Sequence, residues 1–212
     1  FFLSPGERVD ILVDFSPNVI GENVTLKSLA FAGGGMGTYR QGVEMNLLRF
    51  DVTGSASSGG IVPASMTPIS HYNPSDVVRT RTFVLTMVMG GTGMHRINNR
   101  TFEMNRIDEE VRRNDLEEWR IVNGTDEFHP MHVHGVLFQV LSRNGTTNLP
   151  PSDRGWKDTV LVNPSETVRV LIKFTDYTGI YLFHCHNLEH EDDGMMLNFR
   201  VNPATAVEEN EN

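Results

Sequence analysis

The residues of this chain that could do chemistry are concentrated in two short segments. One is "YLFHCHNLEHEDDGMM", residues 181–196, in which the only cysteine, Cys185, stands between two histidines. The other is "EFHPMHVHG", residues 127–135. Together they hold six of the eight histidines of the 212-residue chain. Thiol, imidazole and thioether groups at this density indicate a transition-metal site, and a single cysteine excludes an internal disulfide.

A strand through "FHCH" places its histidines and its cysteine on opposite faces. Side chains alternate along a strand, so His184 and His186 point one way, with Cα atoms about 6.5 Å apart, and Cys185 points the other way. A single metal ion needs ligands that converge on it. The segment therefore predicts two different metal sites, one on each side of the strand.

The site on the cysteine side is predicted to bind copper. One thiolate, two imidazoles and a weak axial thioether form a blue-copper site, and Cys185, His190 and Met195 supply three of these four ligands. We assign the second imidazole to His129, because Pro130 marks a strand start and lets His129 point away from the next histidines. The remaining imidazoles form a second, sulfur-free set: His132, His134, His184 and His186.

The rest of the chain consists of short runs typical of β-strands, separated by turn residues. Their spacing predicts an all-β sandwich or barrel. The runs are "RVDILVDF" (residues 8–15), "NVTLKSL", "MNLLRFDV", "RTFVLTMV", "EWRIVN", "MHVHGVLFQVLS", "DTVLV", "TVRVLIKF", "GIYLFHCH" and "MLNFRV".

Composition divides the chain into four parts. Residues 55–78 are rich in Gly, Ser and Pro, which is typical of a linker. Residues 1–54 before it hold only about three predicted strands, too few for an independent sandwich. Residues 79–203 hold enough strands for a complete domain, and residues 204–212 are expected to be a disordered acidic tail.

Charge and hydropathy narrow the range of partners. The net charge of -9 argues against nucleic acid or an anionic membrane surface, and favours small cationic or neutral substrates. No apolar run approaches the roughly 18 residues of a membrane span. The first residues, "FFLSPGERVD", contain neither an initiator methionine nor a signal peptide, so Phe1 is expected not to be the first residue of the gene product.

The two histidine segments resemble the C-terminal copper motifs of the multicopper oxidases, in the pattern HxxHxH followed by HCHxxxHxxxxM. The bacterial laccase-like members are the most similar, namely copper-efflux oxidases, spore-coat laccases and bilirubin oxidases. "LSPGERVDILVDF" resembles the end of the family's second cupredoxin domain, and "GWKDTVLV" resembles part of its third. The resemblance implies a cupredoxin-like Greek-key sandwich for residues 79–203 and the last strands of the preceding cupredoxin domain for residues 1–54.

The resemblance also implies a role for each ligand. The type 1 copper would be bound by His129, Cys185 and His190, with Met195 as the axial ligand. The type 2 copper would be bound by His132, and the binuclear type 3 centre by His134, His184 and His186.

Three further groups of residues have weaker signals. Glu191 stands where bacterial relatives carry an acid that passes protons to the oxygen site, although it is equally consistent with a polar turn. Asp158 in "GWKDTV" is a candidate to hydrogen-bond a ligand imidazole, or an ordinary residue of a strand-end turn. Core packing is favoured over a secondary cuprous site for the group Met87, Met89, Met94 and His95.

The family's trinuclear oxygen site takes eight histidines, and this chain offers four. We therefore expect an N-terminal chain or segment of the same oxidase to supply four more, whether the protein is cleaved or simply longer. The complete assembly would hold four copper ions. It would oxidise phenolic or aromatic compounds or metal ions in one-electron steps and reduce dioxygen to water, in the periplasm, as a secreted protein or in a spore coat.

Three alternatives differ in what they leave unexplained. A one-copper electron-transfer cupredoxin accounts for the cysteine-side ligands but leaves the sulfur-free histidines without a role. A copper-efflux oxidase acting on cuprous ion differs from a laccase only in its physiological substrate. A cell-division scaffold of the same fold is disfavoured, because members with that role have lost copper ligands and this chain retains all those of the C-terminal motifs.

Overall fold

The structure is a computed structural model that describes residues 1–31, 42–55, 61–65, 67–91 and 93–204. Most of the predicted acidic tail therefore lies outside the described residues. Among those described, one α-helix, α1 (Leu188–Asp192), and two 3-10 turns accompany thirteen strands. The strands are β1 (Asn23–Ser28), β2 (Met45–Asp51), β3 (Arg79–Met87), β4 (His95–Ile97), β5 (Glu109–Arg112), β6 (Leu116–Asn123), β7 (His129–Val133), β8 (Phe138–Arg143), β9 (Trp156–Lys157), β10 (Thr159–Val162), β11 (Thr167–Lys173), β12 (Gly179–Cys185) and β13 (Met196–Asn202).

The chain forms two compact units. The smaller one, Asp10–Ile69, contains β1 and β2, which pair antiparallel. The larger one combines Phe1–Val9 with Ser70–Asn212. Nothing in the sequence indicates that the first nine residues group with the C-terminal part. The assignment of residues 1–54 to a second cupredoxin domain and of residues 55–78 to a linker stays a prediction.

Two sheets build the larger unit, and the all-β prediction is confirmed. The strand order is β10-β7-β12-β13-β5 in the five-stranded sheet and β4-β3-β6-β11-β8-β9 in the six-stranded sheet. Neighbours are antiparallel except for β13 with β5 and β3 with β6. Within the described residues, no helix has both the length and the apolar character needed to span a membrane.

An aromatic cluster joins the inner faces of the two sheets. Phe83 of β3 lies 4.8 Å from Trp119 of β6 and 4.9 Å from Phe183 of β12, measured between ring centres. Trp119 also meets Phe199 of β13 edge to face at 5.5 Å, an arrangement that adds to the gain from burial. Because Phe183 faces this core, Cys185 two residues later faces it as well, and both are fully buried.

Strand pairing then determines which histidines meet. β12 lies next to β7, and their register places His184 opposite His132 and Cys185 opposite Met131. On the other side of β7, Thr159 of β10 lies opposite His132. Directly opposite residues of an antiparallel pair have neighbouring side chains. The three strands therefore gather the sulfur-free histidines on the outer face of the five-stranded sheet.

Strand prediction fails in two ways. Residues 8–15 form no strand, so the prediction for "RVDILVDF" is wrong. A strand needs a neighbour for its backbone hydrogen bonds, and these residues have none in the described sheets. Conversely, the sequence did not indicate β4, β5 and β9. All three are edge strands of two to four residues, too short for an alternating pattern to stand out.

Candidate metal centre

Three donor atoms converge on the inner side of β12. The Cys185 Sγ lies 3.5 Å from the Nδ1 atom of His190 and 3.7 Å from the Nδ1 atom of His129. The two Nδ1 atoms are 3.1 Å apart. All three residues are buried, and their donor atoms form one group capable of holding a metal ion. The structure thus brings together the three strong ligands that the sequence assigned to the cysteine side.

A short loop returns the chain to Cys185 after β12 ends. Helix α1 begins directly after Asn187 and contains His190, whose N–H donates to the Asn187 carbonyl at 3.0 Å. The Met195 N–H donates to the His190 carbonyl at 2.9 Å, and the Met195 carbonyl accepts from the Cys185 N–H at 3.0 Å. Met195 is fully buried. This closed loop brings the Met195 backbone beside Cys185, and the role of Met195 as a ligand stays a prediction.

Neighbouring side chains determine which ring nitrogen of His129 is free. The Thr125 hydroxyl donates to Asn123 Oδ1 at 2.8 Å, so its oxygen accepts from His129 Nε2–H, also at 2.8 Å. The Nδ1 atom of His129 therefore carries the lone pair that a metal needs. In His190, Nε2 lies 3.2 Å from Glu127 Oε2, a carboxylate acceptor, which again leaves Nδ1 free. Both imidazoles are thus arranged to bind through the atom that faces the sulfur.

Burial controls the charge of these donors. It raises the pKa of the Cys185 thiol to about 12. Burial, and then the charge of His95, lowers the pKa of His190 to about 4, and burial together with His190 and His95 lowers the pKa of His129 well below its usual value. The imidazoles are therefore neutral and available as ligands at neutral pH. A soft donor set of one thiol and two neutral imidazoles, closed from water, fits copper.

His95 lies on top of this site. Its ring stacks on His190 with centres 3.9 Å apart and an interplanar angle of 20°. Glu127 Oε2 contacts its Nε2 at 2.8 Å, and Asp193 Oδ2 contacts its Nδ1 at 3.1 Å. Of its methionine neighbours in sequence, Met89 is 66% exposed, which contradicts core packing for that residue.

Sequence reasoning missed the side chains that orient these ligands. Thr125 and Glu127 stand four and two residues before His129, and this proximity to a candidate ligand was the available signal. Asp193 had no role assigned from the sequence. Its carboxylate accepts from the N–H groups of Gly93 and His95 at 2.7 and 2.8 Å, which ties the ligand loop to β4.

A second histidine group lies on the outer side of the same strands. The Nε2 atoms of His134 and His184 are 3.0 Å apart. Together with His132 they form a group in which one ring nitrogen from each residue lies within 4.8 Å of the other two. His186 is not part of this group, and its ring centre is 5.6 Å from those of His132 and His184. The structure therefore gathers three of the four histidines closely and places the fourth beside them.

Backbone carbonyls set the orientation of two of these rings. His184 Nδ1–H donates to the Cys185 carbonyl at 3.0 Å, and His132 Nδ1–H donates to the Asp158 carbonyl at 2.9 Å. Thr159 Oγ1 also lies 3.0 Å from His132 Nδ1. Both rings therefore present Nε2 to a metal. The predicted contact from Asp158 exists, but it comes from its carbonyl, because its carboxylate is 3.9 Å from the ring nitrogen.

The outer group is open to its surroundings. His132, His134 and His186 are half-buried, and the first two line an open cleft of about 630 Å³ with Trp156. Burial nevertheless lowers the pKa values of His132 and His134 below the usual range, so both rings are neutral at neutral pH. Glu191 lies at the edge of the group, with Oε2 3.5 Å from His184 Nδ1.

Comparison with known proteins points to one family. The family model described as multicopper oxidase matches residues 50–205. A laccase of Haloferax volcanii is 36% identical over 99% of this chain and 36% of its own length. A laccase of Bacillus subtilis is 32% identical over 92% of this chain and 41% of its own length. The chain thus spans about two fifths of these relatives or less.

A solved structure extends the agreement to the fold. The 2F4 variant of the McoA multicopper oxidase from Aquifex aeolicus is 32% identical, with a TM-score of 0.77 over 90% of this chain and 43% of that protein. This likeness confirms the predicted cupredoxin-like sandwich. Copper is the cofactor that the family name states, and the donor set of the inner site fits it. The chain belongs to the multicopper oxidase family.

Proposed function

We propose that this chain is the C-terminal part of a laccase-like oxidase that takes electrons singly from a substrate and delivers them to dioxygen. The observation that supports this most strongly is the position of Cys185 between His184 and His186. The inner donor group and the outer histidine group lie on opposite faces of β12, one peptide bond apart. A sulfur-containing redox site thus adjoins a sulfur-free site through covalent bonds.

The ligand assignment follows the two groups. His129, Cys185 and His190 would hold the type 1 copper, with Met195 axial. The outer histidines would hold the type 2 and type 3 ions: His132 for type 2, and His134, His184 and His186 for the type 3 pair. Copper, when bound, supplies one-electron redox chemistry, and four substrate oxidations provide the four electrons that convert one dioxygen and four protons to two waters.

The protein provides a short connection between the two groups. The Cys185 carbonyl accepts from His184 Nδ1–H at 3.0 Å, so the backbone of the cysteine reaches the outer ring both through the chain and through a hydrogen bond. Core packing around Phe183 and Cys185 keeps this segment rigid and excludes water. A rigid, dry path limits the reorganisation that accompanies movement of charge.

Glu191 is proposed to move protons toward the outer group. Its Oε2 lies 3.5 Å from His184 Nδ1, and its side chain is about one-third exposed (32%). It therefore reaches both the histidine group and the solvent side. A carboxylate in such a position can accept a proton from water and pass it inward.

The outer group needs further imidazoles to hold three ions, and we propose that an N-terminal segment of the same oxidase provides them. Its half-buried rings and the adjoining cleft form the surface that such a segment would complete. The substrate class is a phenolic or aromatic compound or a reduced metal ion. We further propose a location in the periplasm or among secreted proteins.

Replacing Cys185 tests the proposal. A thiolate bound to cupric ion gives an intense visible absorption, so Cys185→Ser in the complete oxidase should remove both the blue colour and turnover. Phe183→Leu, on the same strand face two residues earlier, is the packing control and should keep the colour. A blue Cys185→Ser protein would contradict the type 1 assignment.

The number of copper ions separates the oxidase from its main rival. A one-copper cupredoxin would contain one copper for each blue centre. The oxidase would contain four, three of them outside the blue site. Metal analysis of the complete protein, compared with the intensity of the blue band, distinguishes these two functions.

A further inference from the structure

The first residues of the chain form a tight turn against the metal-binding unit. In "SPGE", residues 4–7, the Glu7 N–H donates to the Ser4 carbonyl at 3.0 Å. Pro5 and Gly6 occupy the central positions, and Gly6 has φ +81°, as the third residue of a type II turn requires. The Glu7 carboxylate closes the turn by accepting from the Ser4 N–H and hydroxyl. The turn is therefore a defined structure rather than a loose end.

Gly6 lies against an outer histidine. A Cβ atom at this position would be 2.8 Å from Cδ2 of His186 and 3.1 Å from Oγ1 of Thr159. Real Cβ atoms essentially never approach a neighbour this closely, so any larger residue must displace the imidazole or the hydroxyl. Gly6 thus forms one wall of the space that the His186 ring occupies.

The last residue of the turn and the residue after it pair with two consecutive residues before β10. Glu7 Oε1 accepts from Lys157 Nζ at 2.8 Å, and both side chains are largely buried. Arg8 donates from two nitrogens to the two carboxylate oxygens of Asp158, at 2.5 and 2.9 Å. A bidentate pair of this kind fixes orientation as well as position.

A chain of hydrogen bonds leads from Arg8 to His132. The Asp158 Oδ1 atom held by Arg8 accepts from the Thr159 hydroxyl at 3.1 Å. The oxygen of that hydroxyl lies 3.0 Å from His132 Nδ1, and the Asp158 carbonyl accepts from the same Nδ1 at 2.9 Å. Arg8 therefore holds the residue that determines which nitrogen of His132 carries the proton.

We propose that Gly6 and Arg8 are positioning residues for the outer copper group, Gly6 by shaping the space for His186 and Arg8 by fixing His132 through Asp158 and Thr159. This inference rests on the proposed function, since it assumes that these histidines bind copper. Gly6 and Arg8 would thus position histidines that lie about 125 to 180 residues further along the chain. The inner, sulfur-containing group has no part in these contacts, so its copper should be unaffected.

The first experiment compares Gly6→Ala with Gly145→Ala in the complete, copper-loaded oxidase. Gly145 has nearly the same dihedral angle, φ +83°, but a Cβ there meets nothing within 4 Å. Both variants carry the same backbone strain, and only Gly6→Ala displaces an imidazole. We expect Gly6→Ala to keep the blue band but to contain less total copper for the same blue intensity. The outer group should bind copper about 10- to 100-fold more weakly. Gly145→Ala should match the unmodified protein.

The second experiment avoids backbone strain. Arg8→Gln and Thr159→Val should each alter the electron paramagnetic resonance signal of the type 2 copper while the blue band stays unchanged. Arg200→Gln, which removes an ion pair with Glu110, is the surface-charge control and should alter neither. The Arg8→Gln, Asp158→Asn double variant should be no worse than Asp158→Asn alone, because both substitutions remove the same ion pair.

The outcomes separate this inference from the proposed function. An unmodified oxidase without a blue band, or with only one copper, would defeat the proposed function. A blue unmodified oxidase with its full copper, in which Gly6→Ala behaves like Gly145→Ala, would overturn only the role of Gly6. An unchanged type 2 resonance signal in Arg8→Gln would overturn the role of Arg8. This second test applies even if the Gly6→Ala variant does not fold.

Discussion

The inner and outer histidine groups use the same strand but differ in burial and in the ring atom they present. In the inner group, His129 and His190 have Nε2 engaged by neighbours and direct Nδ1 at the sulfur. In the outer group, His132 and His184 have Nδ1 engaged by backbone carbonyls and direct Nε2 outward. The inner ligands are fully enclosed, whereas three of the outer four are half-buried beside a cleft.

This difference suits the two kinds of chemistry that we propose for the two groups. A closed site excludes water and keeps a fixed geometry, as one-electron transfer requires. A site that must admit dioxygen and release water needs an open side. In the inner site, the thiol of Cys185 has a pKa of about 12 and must lose its proton when a metal binds. In the outer group, burial lowers the pKa values of His132 and His134, so these two rings can bind a metal at neutral pH without losing a proton.

The largest expected effect concerns the isolated 212-residue chain. The inner group draws all its ligands from this chain, whereas the outer group supplies only four imidazoles. The refolded chain should therefore bind one copper in a blue site and show no reduction of dioxygen to water. Copper analysis and oxygen consumption provide the measurement, with Cys185→Ser as the control that abolishes the blue site.

The opposite result would remove the distinction between the two groups. If the isolated chain bound four coppers and consumed oxygen, the missing imidazoles would have to come from a second copy of the same chain. Denaturing electrophoresis of the active enzyme provides a further check, because a cleaved oxidase would yield two polypeptides.

Glu191 serves the outer group alone if its proposed role is correct. Glu191→Gln should slow turnover by about 100-fold, at the lower end of what a general acid or base contributes, with copper content and blue colour unchanged. Glu189→Gln, in the same helix, is the matched control and should turn over normally. Equal turnover rates in both variants would mean that Glu191 is a polar turn residue without a role in proton transfer.

The two groups should also differ in their effect on the acid stability of the copper-free protein. The folded-state pKa of His190 is about 4, below its usual 6.5, so between these values the unfolded chain binds a proton that the folded chain does not. Stability is therefore lost as the pH falls from 6.5 to 4, by roughly 3 kcal/mol from His190 alone. Denaturant unfolding at several pH values measures this slope.

A pair of variants sharpens that measurement. His190→Gln should flatten the slope more than His134→Gln, because the His190 ring is enclosed whereas the His134 ring is half-buried. A larger effect for His134→Gln would mean that the inner site is not the more desolvated of the two.

The division into two groups was predictable because it depends on local geometry. Alternation along "FHCH" places Cys185 opposite its flanking histidines in any strand, and the structure contains that strand. For Thr125 and Glu127, proximity to His129 was the only signal in the sequence. The contact of Arg8 with Asp158 was not predictable, since it depends on an approach that only the folded chain creates. The failed strand at residues 8–15 has the same cause, because hydropathy indicates a strand without showing whether it has a partner.

The smallest expected effect separates Met195 from Met196 and tests which one belongs to the inner group. Met196 begins β13 and lies opposite His184, so its side chain shares the outer face, whereas Met195 is fully buried and its carbonyl accepts from the Cys185 N–H. An axial thioether tunes the potential of a blue site, so Met195→Leu should raise the type 1 potential and keep the blue colour. Met196→Leu is the matched control and should leave the potential unchanged, as measured by redox titration of the blue band. If the type 1 potential shifted in Met196→Leu and not in Met195→Leu, Met196 would belong to the inner group and Met195 would not.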